Sequence, residues 1–275
     1  MKTNLNDKVV IVTGASRGIG VSIVERLAKH GAHLILAARN LEQLESLAKK
    51  ITDAGGKAVA VRCDVTVPDD RDALIAAARE HGPIRVLINN AGIEIPVAVN
   101  DQHPEDIDRQ IAINLIAPLR LTRAVLPEMI EQNSGCVVMV SSMSGKSPTP
   151  YNAIYSATKY GLNGFTMSLR IELEATDINV GVVCPSFVAD AGMWADTGVK
   201  APAMLREVPL SRVVDGVEQI IDGAAEVLVT PTPVRPLLAL GQLFPSIDAF
   251  ALRTMGVTDV LHKRALATAK ERSKG

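Results

Sequence analysis

The chain has 275 residues, a net charge of -1, 47% hydrophobic residues and only 3% aromatic ones. A near-neutral charge removes the general electrostatic basis for nucleic-acid binding, and a core with so few rings must rest on Val, Ile, Leu and Ala, which suits buried parallel strands covered by helices. Cys63, Cys136 and Cys184 lie in or beside apolar runs, so reduced, packed thiols are expected rather than a disulfide framework or a metal site.

The start, Met1 to Asn6, has no apolar core of a signal peptide, and no run approaches the ~18 residues needed to cross a bilayer. A cytoplasmic protein without a transmembrane segment is expected. No Pro/Gly/Ser-rich linker divides the chain before its C-terminal region. The expectation is therefore one main domain over residues 1 to 230, followed by a helical extension from 231 to 275.

Val9 to Val12 reads as a buried strand, and Thr13-Gly14-Ala15-Ser16-Arg17-Gly18-Ile19-Gly20 leads from it into an amphipathic run, Val21 to His30. Strand, glycine turn and helix is the context of a phosphate-binding loop, where exposed N–H groups and the helix dipole favour an anion. The glycine spacing differs from the generic Gly-x-Gly-x-x-Gly pattern. A second strand, His33 to Ala38, precedes a helix from Leu41 to Ala54. An acidic residue at the end of that strand would bind a ribose 2′-hydroxyl, but Ala38 and Arg39 stand there, which favours a 2′-phosphate held by Arg39 and assisted by Arg17.

The third strand, Ala58 to Arg62, ends in Cys63-Asp64-Val65, where Asp64 is either an adenine acceptor or an ordinary turn residue. A helix from Pro68 to His81 leads to a fourth strand, Val86 to Ile88, closed by Asn89-Asn90-Ala91-Gly92, whose small residues allow a nucleotide to lie against the backbone. Asn114 sits inside the helical run Asp108 to Leu121, a position that a polar amide mildly disfavours.

Cys136 to Val140 is a fifth strand, with Ser142 at its end and Tyr155-Ser-Ala-Thr-Lys159 beyond a loop. On a helix from Tyr151 to Thr176, Tyr155 and Lys159 share one face. A cation beside a phenol lowers its pKa from the usual ~10, and a hydroxyl at Ser142 is placed to hydrogen-bond a carbonyl. A sixth strand, Asn179 to Cys184, stops at Pro185. Residues 186 to 209 then form a long loop whose Phe187, Met193, Trp194, Met204 and Leu205 suit a lid. Ser211 is expected to cap the next helix, before a strand at Val227 to Val229. Alternating strands and helices imply a parallel, doubly wound sheet.

Together these residues resemble the short-chain dehydrogenase/reductase family over roughly residues 8 to 230. Thr13 to Gly20 is similar to its cofactor loop, Asn89 to Gly92 to its Asn-Asn-Ala-Gly motif, and Asn114, Ser142, Tyr155 and Lys159 to its catalytic tetrad. The resemblance implies a seven-stranded Rossmann sheet, NADP as cofactor with NAD less favoured, and a homodimer or homotetramer. It implies that Tyr155 is the general acid/base and that Ser142 orients the substrate oxygen. Lys159 then holds the nicotinamide ribose and lowers the Tyr155 pKa, and Asn114 places a water of the proton relay. Cofactor contacts are implied for Gly14, Ser16, Arg17, Gly18, Ile19, Gly20, Arg39, Asp64, Val65, Asn90, Ala91, Gly92, Tyr155, Lys159, Pro185, Ser186 and Val188. Ser186 and Asp190 depart from the Gly and Thr that the family often carries after the sixth strand.

The expected activity is interconversion of a carbonyl and a secondary alcohol on an apolar small molecule. Reduction of acyl-carrier-bound 3-oxo chains is the alternative, and an NADP(H)-binding redox sensor without turnover is the reading from another class. The extension is apolar but broken by Gly241, Pro245 and Gly256. From Arg253 onward, six basic residues (Arg253, Lys263, Arg264, Lys270, Arg272, Lys274) stand against Asp259 and Glu271. A subunit-packing tail with a solvated basic end is favoured over peripheral contact with an anionic membrane.

Overall fold

The structure, a computed structural model, describes residues 1–197, 199–202 and 205–272, apart from the side chains of Pro245, Glu271 and Arg272. Met204 and Lys274, named above, lie outside the described residues.

Seven parallel strands form one sheet: β1 (Val9–Thr13), β2 (His33–Ala38), β3 (Lys57–Arg62), β4 (Ile84–Asn89), β5 (Gly135–Val140), β6 (Ile178–Pro185) and β7 (Glu226–Val229). Their spatial order is β3-β2-β1-β4-β5-β6-β7. The order reverses between β1 and β4, the switch point at which a doubly wound sheet opens a crevice at its carboxyl edge. This is the expected Rossmann sheet.

Because side chains alternate along a strand, each strand feeds two cores. Val10 and Val12 join Leu34, Leu36, Val86 and Val138 on one face. That face is covered by α1 (Ile19–Ala28), α2 (Leu41–Asp53) and α7 (Leu210–Ile221). Val9 and Ile11 join Ile35, Leu87, Val137 and Val180 on the other. There the cover is α3 (Pro68–Arg79), α5 (Ala117–Glu131) and α6 (Ala153–Glu172), with α4 (Pro104–Ile111) leading into α5.

Three local differences from the sequence reading have physical causes. The expected helix from Asp108 to Leu121 contains a π-helical turn over Ala112–Ile116, with Asn114 at its centre. Such wide turns re-aim side chains and recur at functional sites. α6 begins at Ala153 rather than Tyr151, since Tyr151 takes a left-handed φ of 59° that no helix propagates. Ser211 does not cap α7: Pro209 precedes the first helical residue and already fixes φ for the entry.

The extension forms α8 (Arg235–Leu243), α9 (Pro245–Thr254) and α10 (Val257–Arg272). α10 packs through Val257 and Leu261 against Trp194 of the 186–209 loop. The basic stretch is not a wholly solvated face, because Arg264 is buried. Exposed apolar side chains of the extension lie on and between α8 and α9, at Leu240, Leu243, Phe244 and Phe250, and on α10 at Leu266. Among the described residues, no helix is long and apolar enough to cross a membrane.

Candidate active site

A cavity of about 690 Å³ runs along the carboxyl edge of the sheet, from the glycine loop past the ends of β4 and β5 to the extension. Every residue singled out in the sequence as a cofactor contact lines it except Gly20, and Ser142, Tyr155 and Lys159 do so as well. Gly20 supports the loop from behind. A Cβ there would stand 2.2 Å from the Gly14 carbonyl oxygen, so only glycine permits this fold of the loop on itself. Gly18 caps α1 at φ 58°, ψ -132°, a backbone state closed to residues with a Cβ.

The crevice between β1 and β4 is clamped by side-chain hydrogen bonds. The Thr13 hydroxyl accepts from the amides of Asn90 (3.0 Å) and Ala91 (3.1 Å). The Asn90 side chain donates back to the carbonyls of Thr13 (3.0 Å) and Gly14 (3.1 Å). The glycine loop and the Asn-Asn-Ala-Gly turn are thus one unit, and this accounts for the pairing of those motifs. Arg39 and Arg17 are both exposed. Arg17 pairs with Asp196 of the lid at 2.8 Å. Asp64 closes an Asx turn, its Oδ1 accepting from the Thr66 amide (2.9 Å) and hydroxyl (2.7 Å), while the residue lines the cavity wall. Pro185, Ser186 and Val188 form the wall after β6, where the Ser186 hydroxyl is buried without a partner among the described residues. Asp190 lines the cavity too.

The proposed catalytic side chains meet at the other end. Tyr155 and Lys159, one turn apart on α6, are 6% and 3% exposed, so their protonation is set by the protein and not by bulk water. The Lys159 ammonium lies 5.4 Å from the Tyr155 ring centre and donates to the Val140 carbonyl at 3.0 Å. Ser142 lies just past β5, its hydroxyl accepting from the Ser144 amide at 3.1 Å. Asn114 is fully buried behind the cavity wall, next to Gly92. A Cβ on Gly92 would stand 3.3 Å from the Asn114 Oδ1 and 3.8 Å from the Lys159 Nζ. The Asn114 amide is held by the backbone of Ile93, accepting from its N–H and donating to its C=O, both at 2.8 Å.

Electrostatics depart from the simple expectation. Burial pushes the Tyr155 phenol well above its ordinary value and the Glu94 carboxylate adds to the rise, while a hydrogen bond from Ser142 and the Arg264 guanidinium oppose it. Burial pulls Lys159 down to about 8. In the ligand-free site, desolvation therefore outweighs the lowering of Tyr155 expected from Lys159. The phenol holds its proton firmly at neutral pH. Burial also pushes the thiols of Cys63, Cys136 and Cys184 up to about 12, the state of inert packed cysteines.

The sequence reading missed a polar cluster beside these groups. Glu94 receives both guanidinium ends of Arg264, Nη1 to Oε1 and Nη2 to Oε2, each at 2.7 Å. It also accepts from the side chain of Asn152. A lone acid in the apolar run Ile93-Glu94-Ile95-Pro96-Val97 was a usable signal. Arg264, buried among basic neighbours 170 positions away, had none.

Comparison with known proteins agrees with this geometry. The short chain dehydrogenase family model matches residues 8–200. A protein of Nostoc sp. (strain PCC 7120) named ketoacyl reductase HetN is 39% identical over 270 residues, covering 96% of this chain and 94% of its own. A solved metagenomic short-chain oxidoreductase in complex with NADP superposes with a TM-score of 0.72 at 34% identity, over 84% of this chain and 100% of that one. Actinorhodin polyketide ketoreductase with NADPH superposes at 0.75 with 32% identity, over 83% and 97%. The chain belongs to the short-chain dehydrogenase family. It is an oxidoreductase of that family, acting on CH–OH groups.

Proposed function

We propose that this protein is an NADP-dependent oxidoreductase that interconverts a carbonyl and a secondary alcohol on a substrate with an apolar body. The observation that carries the reading is the convergence of Ser142, Tyr155 and Lys159 in the same cavity that the glycine loop borders.

The residues present fit a nicotinamide dinucleotide. The tightly folded loop offers its backbone and the start of α1 to a pyrophosphate. Arg39 and Arg17 are exposed beside the end of β2 and suit a 2′-phosphate, with no carboxylate at Ala38 to oppose it. The unpartnered Ser186 hydroxyl suits a carboxamide, replacing the family's usual donor. When bound, NADPH supplies the hydride to the carbonyl carbon.

The remaining chemistry belongs to the chain. Ser142 donates to the substrate oxygen and turns the carbonyl toward Tyr155. Tyr155, protonated because it is buried, passes its proton to that oxygen as the alcohol forms. Lys159, held by the Val140 carbonyl, places its charge beside the phenolate and stabilises it until the proton is replaced. Asn114 fixes the Ile93 backbone and places the water through which that proton returns. Phe187, Trp194, Leu238 and Met255 line the space open to the substrate's body. A 3-oxoacyl chain is the favoured form of this substrate, because that apolar lining accompanies similarity to a named ketoacyl reductase over nearly the whole chain. The three buried thiols suit the reducing cytoplasm in which we place it.

The test is oxidation of NADPH with ketones and 3-oxoacyl thioesters, using the unaltered protein and Tyr155→Phe. The variant should bind NADPH normally and lose ~10²–10⁴-fold in turnover, the usual share of a general acid. Full activity in the variant would refute the role of Tyr155, and tight NADPH binding without turnover of any carbonyl would favour the sensor reading.

A further inference from the structure

The far side of the cavity from the glycine loop is built by the C-terminal extension: Leu237, Leu238, Leu252, Met255, Val257 and Leu261 all line it. Arg235 at the start of α8 pairs with Glu226 of β7 at 3.0 Å. The far end of the extension, α10, is held by the cluster centred on Arg264. Its forked contact with Glu94 ties α10 to the turn after β4. Through Asn152, Glu94 is tied to the start of α6, one turn before Tyr155. Arg264 also reaches the lid, with Nη2 3.4 Å from the Met193 carbonyl and the guanidinium 5.4 Å from the centre of the Trp194 ring. His262 stacks on Tyr151 at 4.6 Å and reinforces the same junction. One guanidinium therefore joins the post-β4 turn, the entry to α6, the lid and the extension.

Both partners are buried, with side chains 7% and 11% exposed. A buried ion pair gains little net stability over apolar packing of the same volume, because desolvating two charges offsets their attraction. Its distinguishing property is directional: the planar fork matches a carboxylate in one relative orientation. The pair fixes where α10 sits over the catalytic groups, and apolar packing alone would let the helix slide.

We infer that Arg264 is a specificity-determining residue: by clamping α10 to Glu94 it holds the apolar wall of the extension against the hydrocarbon tail of the substrate. The 231–275 segment is then part of the catalytic unit and not a separable tail. This rests on the carbonyl-reductase reading above and adds the means by which tail length is read.

The experiment measures kcat/KM for 3-oxoacyl thioesters of four to ten carbons in the unaltered protein, Arg264→Gln and Arg264→Lys. Each methylene buried against the wall should raise kcat/KM about fourfold until the space is filled. In Arg264→Gln the ratio of long-chain to short-chain kcat/KM should fall at least tenfold, mainly through KM. Arg264→Lys, which keeps the charge and loses the fork, should fall between. An unchanged ratio in a variant with a normal melting curve overturns the inference. If Arg264→Gln fails to fold, Leu238→Gln puts a polar group in the wall with the clamp intact, and it too must lower the ratio. Trp194, the sole tryptophan, reports tail binding without turnover. Decanol should change its emission saturably, with at least tenfold weaker binding in Arg264→Gln. If no thioester is reduced, the 3-oxoacyl substrate favoured above fails, and this titration alone decides the inference: equal affinities in the two proteins overturn it.

Discussion

Lys159 carries its charge in a place where water does not reach, and that has a measurable cost. Its pKa is pulled down to about 8 from the ordinary 10.5 of a lysine, chiefly by burial. Above pH 10.5 the lysine is neutral in both folded and unfolded chains; as pH falls from 10.5 to 8 the unfolded chain takes up a proton that the folded one does not, so the folded state loses stability across that window and bears the whole cost below 8. Lys159→Met should therefore abolish the stabilised phenolate and lower turnover by orders of magnitude, yet melt higher than the parent at pH 7 in the absence of cofactor. That advantage should shrink between pH 8 and 10.5. A variant that melts lower at pH 7, or whose difference from the parent is the same at pH 7 and 10.5, would show that the charge is compensated. At the other end of the cavity, Arg39 and Arg17 should set cofactor choice. Ala38→Asp with Arg39→Ala is expected to move preference from NADP toward NAD, and Asp196→Asn, by freeing Arg17 from its 2.8 Å partner, to tighten NADPH binding. Equal dissociation constants for NADPH and NADH in the unaltered protein would sink this assignment.

At the scale of elements, α6 has two faces with different tasks. One carries Tyr155, Lys159, Leu162 and Leu169 into the site and the core. The other leaves Tyr160, Met167 and Ile171 in water, with Ile171 67% exposed. Positions 160, 167 and 171 fall on one stripe at helical spacing, and α5 adds Ile130 while the π-turn before it adds Ile116. An apolar stripe this long is expected to be covered by a second copy, giving the homodimer or homotetramer the sequence suggested. Met167→Glu combined with Ile171→Glu should lower the sedimentation coefficient to that of a smaller species at micromolar concentration. A parent protein that already sediments as a monomer would refute this. The π-turn at Ala112–Ile116 belongs to this scale too: within it Asn114 reaches the Ile93 backbone, accepting from its N–H and donating to its C=O.

For the whole molecule, the sheet and the part of the cavity bordered by the strand ends follow from local patterns. Val9–Val12, His33–Ala38 and Cys136–Val140 are short apolar runs, each followed by turn residues, and such runs become buried parallel strands with little choice. Gly14 to Gly20, Asn89 to Gly92 and Tyr155 to Lys159 are close in sequence to the strand ends that bring them together. Their meeting along one cavity was therefore legible before any tertiary contact was known. Tertiary structure decided what depends on distant partners. Burial, set by the whole fold, raises Tyr155 and depresses Lys159, whereas spacing alone suggested that the lysine would lower the phenol. The extension read as a basic tail because charge was the visible feature of its sequence. Its last helix pairs with a carboxylate 170 residues away, since an isolated helix end has no reason to bury a guanidinium until the fold presents Glu94 to receive it.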